Sequence, residues 1–414
     1  MSRRCLALIS ISISSISALA LVATAQEAQD WPQFRGPTGQ GVSELRGLPL
    51  EWSESKNLVW KVPVPGHGWS SPVVAGGRVW LTTFVDKGAS MRAVAFDVET
   101  GKELVNTEVV RFKGGDPINS KNSRATPSPV LDGDRVFVHF GAEGTAALTT
   151  AGQIVWKAQF PYSSQHGSGG SPIVIGDVLV VSGDGPDAAF LTALDKATGK
   201  VRWRTWKRQP WDQAYSTPLA INVAERDQIV SVGAHHAAAY DPQTGKEIWR
   251  VSYPGGFSNV PRPVYGAGLV FITTGFQQPS LIAVRPDGRG DVTKTHVAWT
   301  LARGVPLTPS PIIVGDELYL VNDSGIAICL DAKTGTPIWA QRLPGAHSAS
   351  PVFADGRIYF LSEDGVTTVI APGTEFRALA TNRLDGMTYA SMAVSAGSFF
   401  IRSDTFLYRI GARP

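Results

Sequence analysis

The chain has 414 residues, a formal net charge of +3, and 43 glycines and 28 prolines against 4 methionines. That balance suits many turns and few long helices, and it excludes a disordered chain. With no long basic run, it gives no electrostatic footprint for nucleic acid or an anionic membrane.

Residues 1–25 read as a secretory signal peptide. Arg3 and Arg4 open it, Leu6 to Val22 is apolar and small-residue-rich, and Ala23-Thr24-Ala25 is a cleavage site before Gln26. The apolar run is too short and Ser-rich to span a bilayer well, so no transmembrane span is expected after cleavage. Cys5 lies upstream of the apolar run rather than at the cleavage point, which argues against a lipid anchor. Cleavage takes two arginines and no acid, so +3 falls to +1. Cys329 is then the remaining cysteine, and an internal disulfide is ruled out. A periplasmic or secreted location follows.

Residues 26–56 read as an N-terminal extension, and 57–414 as one repetitive domain. A small residue followed by Pro and a short β-branched run recurs: Ser71-Pro72-Val73-Val74, Ser128-Pro129-Val130-Leu131, Ser171-Pro172-Ile173-Val174 and Thr217-Pro218-Leu219-Ala220. Then come Arg262-Pro263-Val264-Tyr265, Ser310-Pro311-Ile312-Ile313, Ser350-Pro351-Val352-Phe353 and, with Met for Pro, Ser391-Met392-Ala393-Val394. The steps run from 40 to 57 residues, the length of a propeller blade. Each copy continues through a glycine turn into a second strand, as at Gly315-Asp316 before Glu317-Leu318-Tyr319-Leu320.

A third strand ends in an acidic turn that leads to tryptophan. Asp195 to Lys200 leads to Trp203, Asp241 to Lys246 to Trp249, and Asp331 to Gly335 to Trp339. Trp156 and Trp299 occupy the same column after degraded turns. Blade one has the turn at Asp97 to Lys102 but Leu104-Val105 in place of the ring. A lone four-stranded sheet leaves both faces wet, and stacking sheets around an axis buries them. The expected fold is therefore all-β: an eight-bladed β-propeller of four-stranded antiparallel blades. The last unit, Ser391 to Ile410, supplies three strands. Asn57 to Val62, with Trp60, carries the missing pattern and should close the ring. Trp60, Trp156, Trp203, Trp249, Trp299 and Trp339 are assigned to docking between blades.

The Asp-x-x-Thr-Gly-Lys-x-x-Trp turn resembles that of quinoprotein-type, PQQ-repeat propellers. These include the pyrroloquinoline quinone (PQQ) dehydrogenases and outer-membrane-assembly propeller proteins. Trp31-Pro32-Gln33-Phe34-Arg35-Gly36-Pro37, with Gly41-Val42-Ser43, is similar to the start of secreted quinoprotein-like propellers of unassigned activity. The resemblance implies the fold, and implies either a scaffold or a PQQ-dependent enzyme with calcium. The chain departs from the dehydrogenases in having no adjacent cysteines and no Cys-x-x-Cys-His haem site.

Strand order puts the loops leading into first strands, and those between second and third strands, at one end. Unusual residues gather there: His67, Trp69, Arg124, His166, Tyr215, Asn259, Arg262, His347 and Tyr389. They are the candidate ligand-binding set around an axial mouth, where aromatic, amide and cationic groups suit a polar or anionic ligand. No metal site is expected, because the adjacent His235 and His236 point to opposite sides of a strand. The basic and aromatic run Arg202 to Arg208, with Trp203, Trp206 and Trp211, reads as an exposed blade edge. The expected function is a non-enzymatic exported scaffold, without cofactor, that binds an envelope or extracellular protein or a small polar ligand. The alternatives are a PQQ-dependent oxidoreductase and an extracellular hydrolase or lyase.

Overall fold

The computed structural model describes residues 29–114, 118–208 and 212–412. The expected signal peptide at 1–25 and Trp211 lie outside the described residues. Among the described residues no helix is long and apolar enough to cross a membrane.

Eight sheets, each antiparallel in its core, form the blades. In blade 6, Ile312–Val314, Glu317–Val321, Ile326–Asp331 and Pro337–Arg342 pair in that order. The middle strands are buried on both faces, which is why they read as unbroken apolar runs, while the outermost strand is mostly exposed. The ring closes as expected. Leu58–Pro63 pairs antiparallel with Phe406–Gly411 in blade 8, with Lys61 opposite Tyr408 and Val62 opposite Leu407.

The tryptophan column links successive blades. The indole N–H of Trp60 donates to the Val98 carbonyl at 2.9 Å, Trp156 to Lys196 at 3.1 Å and Trp203 to Pro242 at 2.8 Å. Trp299 donates to Ala332 and Trp339 to Gly373, both at 3.1 Å. Each acceptor lies in the acidic-turn region of the next blade. In four of these seams the turn glycine lies on the ring, Gly101 on Trp60, Gly199 on Trp156, Gly245 on Trp203 and Gly335 on Trp299; Gly245, at φ +68°, leaves no room for a Cβ. In blade 1, Val105 takes the place of the ring beneath Gly152. The turn aspartates cap their own turns, Asp195 Oδ1 accepting from the Thr198 N–H and hydroxyl at 2.9 and 2.8 Å.

Two seams differ. Trp203, Trp249 and Trp339 were each expected to be buried between two blades, yet of the column's rings only Trp249 is fully buried; the others keep one side near solvent. Trp249 is covered because the next blade's irregular turn folds back, and Gly290–Asp291 pairs in parallel with its strand. Its N–H donates to Gln228 Oε1 at 2.8 Å, and Gln228 Nε2 donates to the Pro286 carbonyl at 3.2 Å, so an amide relays the link. Blade 7 has Ala380 in the column. Trp52 of the extension supplies the ring instead, with centroids 6.1 Å from Tyr359 and 5.3 Å from Phe399.

The extension is a plug. Trp31 exchanges backbone hydrogen bonds with Val74 at 2.7 and 2.8 Å, and the Pro32 carbonyl accepts from Leu131 N–H. Gln40 Oε1 accepts from Tyr265 N–H at 2.6 Å, and Phe353 is held by Gly41 and Ser43 at 2.8 Å each. These partners are first-strand residues of blades 1, 2, 5 and 7, so the segment crosses the axis at the glycine-turn end. It then leaves along blade 7, where Leu48 N–H donates to Asp355 at 3.0 Å.

Candidate functional site

At the other end of the axis lies a cavity of about 670 Å³. Its floor is built by the small-residue column. Backbone N–H groups donate from Ser71 to the Ser128 hydroxyl (2.8 Å), Ser128 to Ser171 (2.9 Å) and Ser171 to Thr217 (2.9 Å). The series resumes from Arg262 to Ser310 (2.9 Å), Ser310 to Ser350 (3.0 Å), Ser350 to Ser391 (2.9 Å) and Ser391 back to Ser71 (3.0 Å). One link of eight is missing, where Arg262 has no hydroxyl to offer Thr217. Each hydroxyl therefore takes a backbone donor from the neighbouring blade and stitches the inner strands into a ring.

Phe34 of the plug also lines the cavity, so the axial channel is closed from below. Arg262 holds the plug: Nη1 donates to the Phe34 carbonyl at 2.6 Å, Nη2 to Gln33 Oε1 at 3.2 Å and Nε to the Pro218 carbonyl at 3.1 Å. Arg35 donates to the Gln40 and Pro311 carbonyls at 2.7 and 2.8 Å. Gly39 and Gly41 make room for these two guanidinium groups. Burial pushes both down to about 9, and Arg262 adds repulsion at Arg35.

The walls are aromatic. Trp69 and Tyr389 meet edge to face at 4.6 Å, Phe257 and Phe276 at 5.5 Å, and His166 lies 6.2 Å from Tyr215. The Tyr215 hydroxyl is buried without a partner among the described residues, and burial pushes it well above its usual range. On the rim, Lys121 reaches Glu363 of blade 7 at 2.8 Å, and Ser348 donates to the same carboxylate at 2.6 Å. Burial alone would lower the Lys121 ammonium, but Glu363 holds it above its usual value. Asp323 accepts from Leu307 N–H at 2.6 Å.

Of the nine candidate mouth residues, Trp69, His166, Tyr215 and Tyr389 line the cavity. The other five do not. His67 is exposed beside Asp86 at 3.1 Å. Arg124 stacks on Phe112 at 4.0 Å. Asn259 is fully buried and holds loop backbone, donating to Gly233 at 2.6 Å. Arg262 reaches away from the mouth into the plug, where the Phe34 carbonyl and Gln33 Oε1 accept from it. His347 is fully buried, and desolvation outweighs nearby Glu363, Asp323 and Asp364 to push its imidazole down to about 4. Among the described residues no three His, Cys, Asp or Glu side chains are grouped to hold a metal. In the basic run, Lys207 is not on the edge but in a buried pair with Asp184 at 2.7 Å. Arg204 lies over Phe160 and Phe190 at 4.8 Å each.

Sequence reasoning missed the ring hydroxyls, which it read only as repeat markers, and Phe34, Lys121, Phe257, Phe276 and Asp323. A hydroxyl in seven of eight columns was the signal available for the floor.

The family model described as outer membrane protein assembly factor BamB, of the PQQ-repeat type, matches residues 42–190, 187–326 and 233–375. The chain belongs to this family. It is 26% identical over 295 residues to the tetrathionate hydrolase of Acidithiobacillus ferrooxidans, covering 67% of this chain and 54% of that protein. It is 27% identical over 242 residues to BamB of Burkholderia pseudomallei, covering 53% and 56%. It is 22% identical over 390 residues to quinohemoprotein alcohol dehydrogenase ADH IIB of Pseudomonas putida, covering 84% and 53%. The chain spans about half the length of these curated relatives. Among solved structures, BamB from Moraxella catarrhalis superposes with a TM-score of 0.61 at 14% identity, over 85% of this chain and 99% of that one. A europium-containing methanol dehydrogenase gives 0.55 at 12% identity, over 92% and 90%. These likenesses establish the fold.

PQQ carries three carboxylates, and with a divalent cation it needs convergent cations and grouped oxygen ligands. Among the described residues the cavity lining offers Lys121, already paired with Glu363, one carboxylate in Asp323, and no arginine. Both PQQ and its cation fit this lining poorly.

Proposed function

We propose that this chain is an exported propeller that binds a small ligand in its axial mouth, without turning it over. One observation carries the reading: the chain's own N-terminal segment closes the channel from below and leaves a blind, aromatic-walled cavity of about 670 Å³. That volume falls in the range of small-molecule sites. Rings on the walls offer stacking surfaces, while the hydroxyl floor and the Lys121 and Asp323 rim offer oriented polar contacts. Among the described residues no cavity serine or threonine is hydrogen-bonded to a histidine, so the pairing that activates a hydroxyl nucleophile is missing.

Thermal unfolding with added ligands tests this. Amphipathic small molecules should raise the melting temperature, and Trp69→Ala with Tyr389→Ala should abolish the rise. A rise with PQQ plus calcium that survives those substitutions would favour the oxidoreductase reading. A rise with oligosaccharides, followed by their cleavage, would favour the hydrolase.

A protein partner is the second reading, and the surface supports it. Leu104, Ile154, Val155, Val201 and Trp206 are exposed on the outermost strands of the successive blades 1, 2 and 3. Such a row suits an envelope protein, in keeping with the assembly-factor relatives.

A further inference from the structure

The floor of the mouth is a ring of hydroxyl groups. Seven hydroxyls converge there, on Ser71, Ser128, Ser171, Thr217 and the three ring serines of blades 6 to 8, and all line the cavity. Each accepts a backbone N–H from the neighbouring blade, which uses its oxygen and leaves its O–H. Among the described residues none of the seven has a protein acceptor for that O–H. The residues are only 2–5% exposed and form the bottom of the mouth. Water in the mouth accepts from these hydroxyls, so a ligand that displaces it must bring acceptor oxygens of its own, at about 1–3 kcal/mol for each donor left unpaired.

The charge around the axis selects among acceptors. Arg35, Arg262 and Arg402 are each buried to within 1% and form no ion pair with a carboxylate among the described residues. Arg262 is bonded to the backbone of Phe34, itself a floor residue. Arg402 donates to Ser70 and Thr82, beside the ring at blade 1. Buried cations without counter-ions leave a positive potential that water does not screen. Of the carboxylates at the mouth, Glu363 is paired with Lys121, and Asp323, which accepts the Leu307 N–H at 2.6 Å, is a single negative charge against the three arginines. The floor is thus rich in donors under a positive field, and the walls above it are apolar.

We propose that the hydroxyl ring is an oxyanion-binding floor, and that the mouth takes a small molecule with a negatively charged oxygen head group seated on the ring and an apolar body against the aromatic walls. This rests on the mouth being a binding site, as proposed above. Hydrogen bonds from several hydroxyls to one oxyanion are charge-assisted and supply the acceptors the ring lacks. Thr217 already occupies one ring position, so Thr should replace any ring Ser and keep the contact.

The test uses 2-naphthalenesulfonate and its neutral match, 2-naphthalenesulfonamide, titrated calorimetrically into the full exported chain. The sulfonate should bind at least about tenfold more tightly. Ser128→Ala with Ser310→Ala, on opposite sides of the ring, should erase that preference while leaving the sulfonamide unchanged, and Ser310→Thr should retain it. Should the double variant fail to fold, Thr217→Val alone should lower the preference severalfold. Equal binding of the two probes, both lost in Trp69→Ala, would overturn the oxyanion floor and leave the mouth reading standing. No binding of either probe would overturn both.

Discussion

Arg262 Nη1 and the carbonyl oxygen of Phe34 lie 2.6 Å apart, across 228 residues of sequence. That bond joins the single interruption in the axial ring to the segment that seals the ring from below. It converts an open channel into a blind site, and it explains why one copy of the repeat carries an arginine where seven carry a hydroxyl.

Arg262→Ser should loosen the plug while leaving the propeller folded. The change offers Thr217 a ring partner but removes three bonds to the plug and its neighbour. Stability should fall by about 1–3 kcal/mol. Trypsin should cut after Arg35, fully buried in the native chain, at least several times faster. An unchanged cleavage rate would mean that the plug is held elsewhere.

The tryptophan column sets the strength of the blade seams. Trp249→Ala, at the fully buried position, should cost roughly 3–5 kcal/mol in denaturant titrations. Trp203→Ala should cost less, because that residue is only partly buried. Gly245→Ala should cost about 1–3 kcal/mol, since it forces a Cβ onto the Trp203 ring at a left-handed φ. A loss below about 1 kcal/mol for Trp249→Ala would contradict the docking role.

Acid should weaken the fold before its carboxylates titrate. Burial pushes His139 and His347 from 6.5 down to about 4. Between those values the unfolded chain binds protons that the folded chain refuses, so stability falls as pH drops from 6.5 to 4; below that the histidine contribution levels off and turn carboxylates such as Asp195, held down to about 2 chiefly by Arg202 and Thr198, continue the fall. The displacement corresponds to roughly 3 kcal/mol per histidine at most. Denaturation midpoints against pH should follow this course, and His347→Gln should remove about half of it. A flat profile over this window would show that neither imidazole is held neutral.

Closure depends on the last blade. Truncation after Leu384 removes the partner strand of Leu58–Pro63 and the Phe399 ring that packs on Trp52. The product should show no cooperative unfolding. A soluble, cooperative truncated chain would contradict the closure.

The fold was legible because it is repeated. Eight copies of one column and six tryptophans gave blade number, register and closing strand, and strand order gave the end at which the mouth opens. Trp69, His166, Tyr215 and Tyr389 could be brought together on that basis alone. Register does not say which way a loop side chain turns. Asn259 and His347 sit beside buried backbone and fold inward. The plug was illegible for the opposite reason: it occurs once, and its partners are set by contacts such as Gln40 with Tyr265, 225 residues away. Trp52 likewise fills a seam whose own column residue is alanine, a substitution visible only in three dimensions.

The central claim is that the blind mouth holds a small ligand. Native mass spectrometry of the full chain, equilibrated with a metabolite extract, tests it most directly, alongside a Trp69→Ala, Tyr215→Ala variant of equal stability. The account predicts a non-covalent adduct of small-molecule mass on the native chain, absent from the variant. A bare native chain, or an adduct retained equally by the variant, would contradict it.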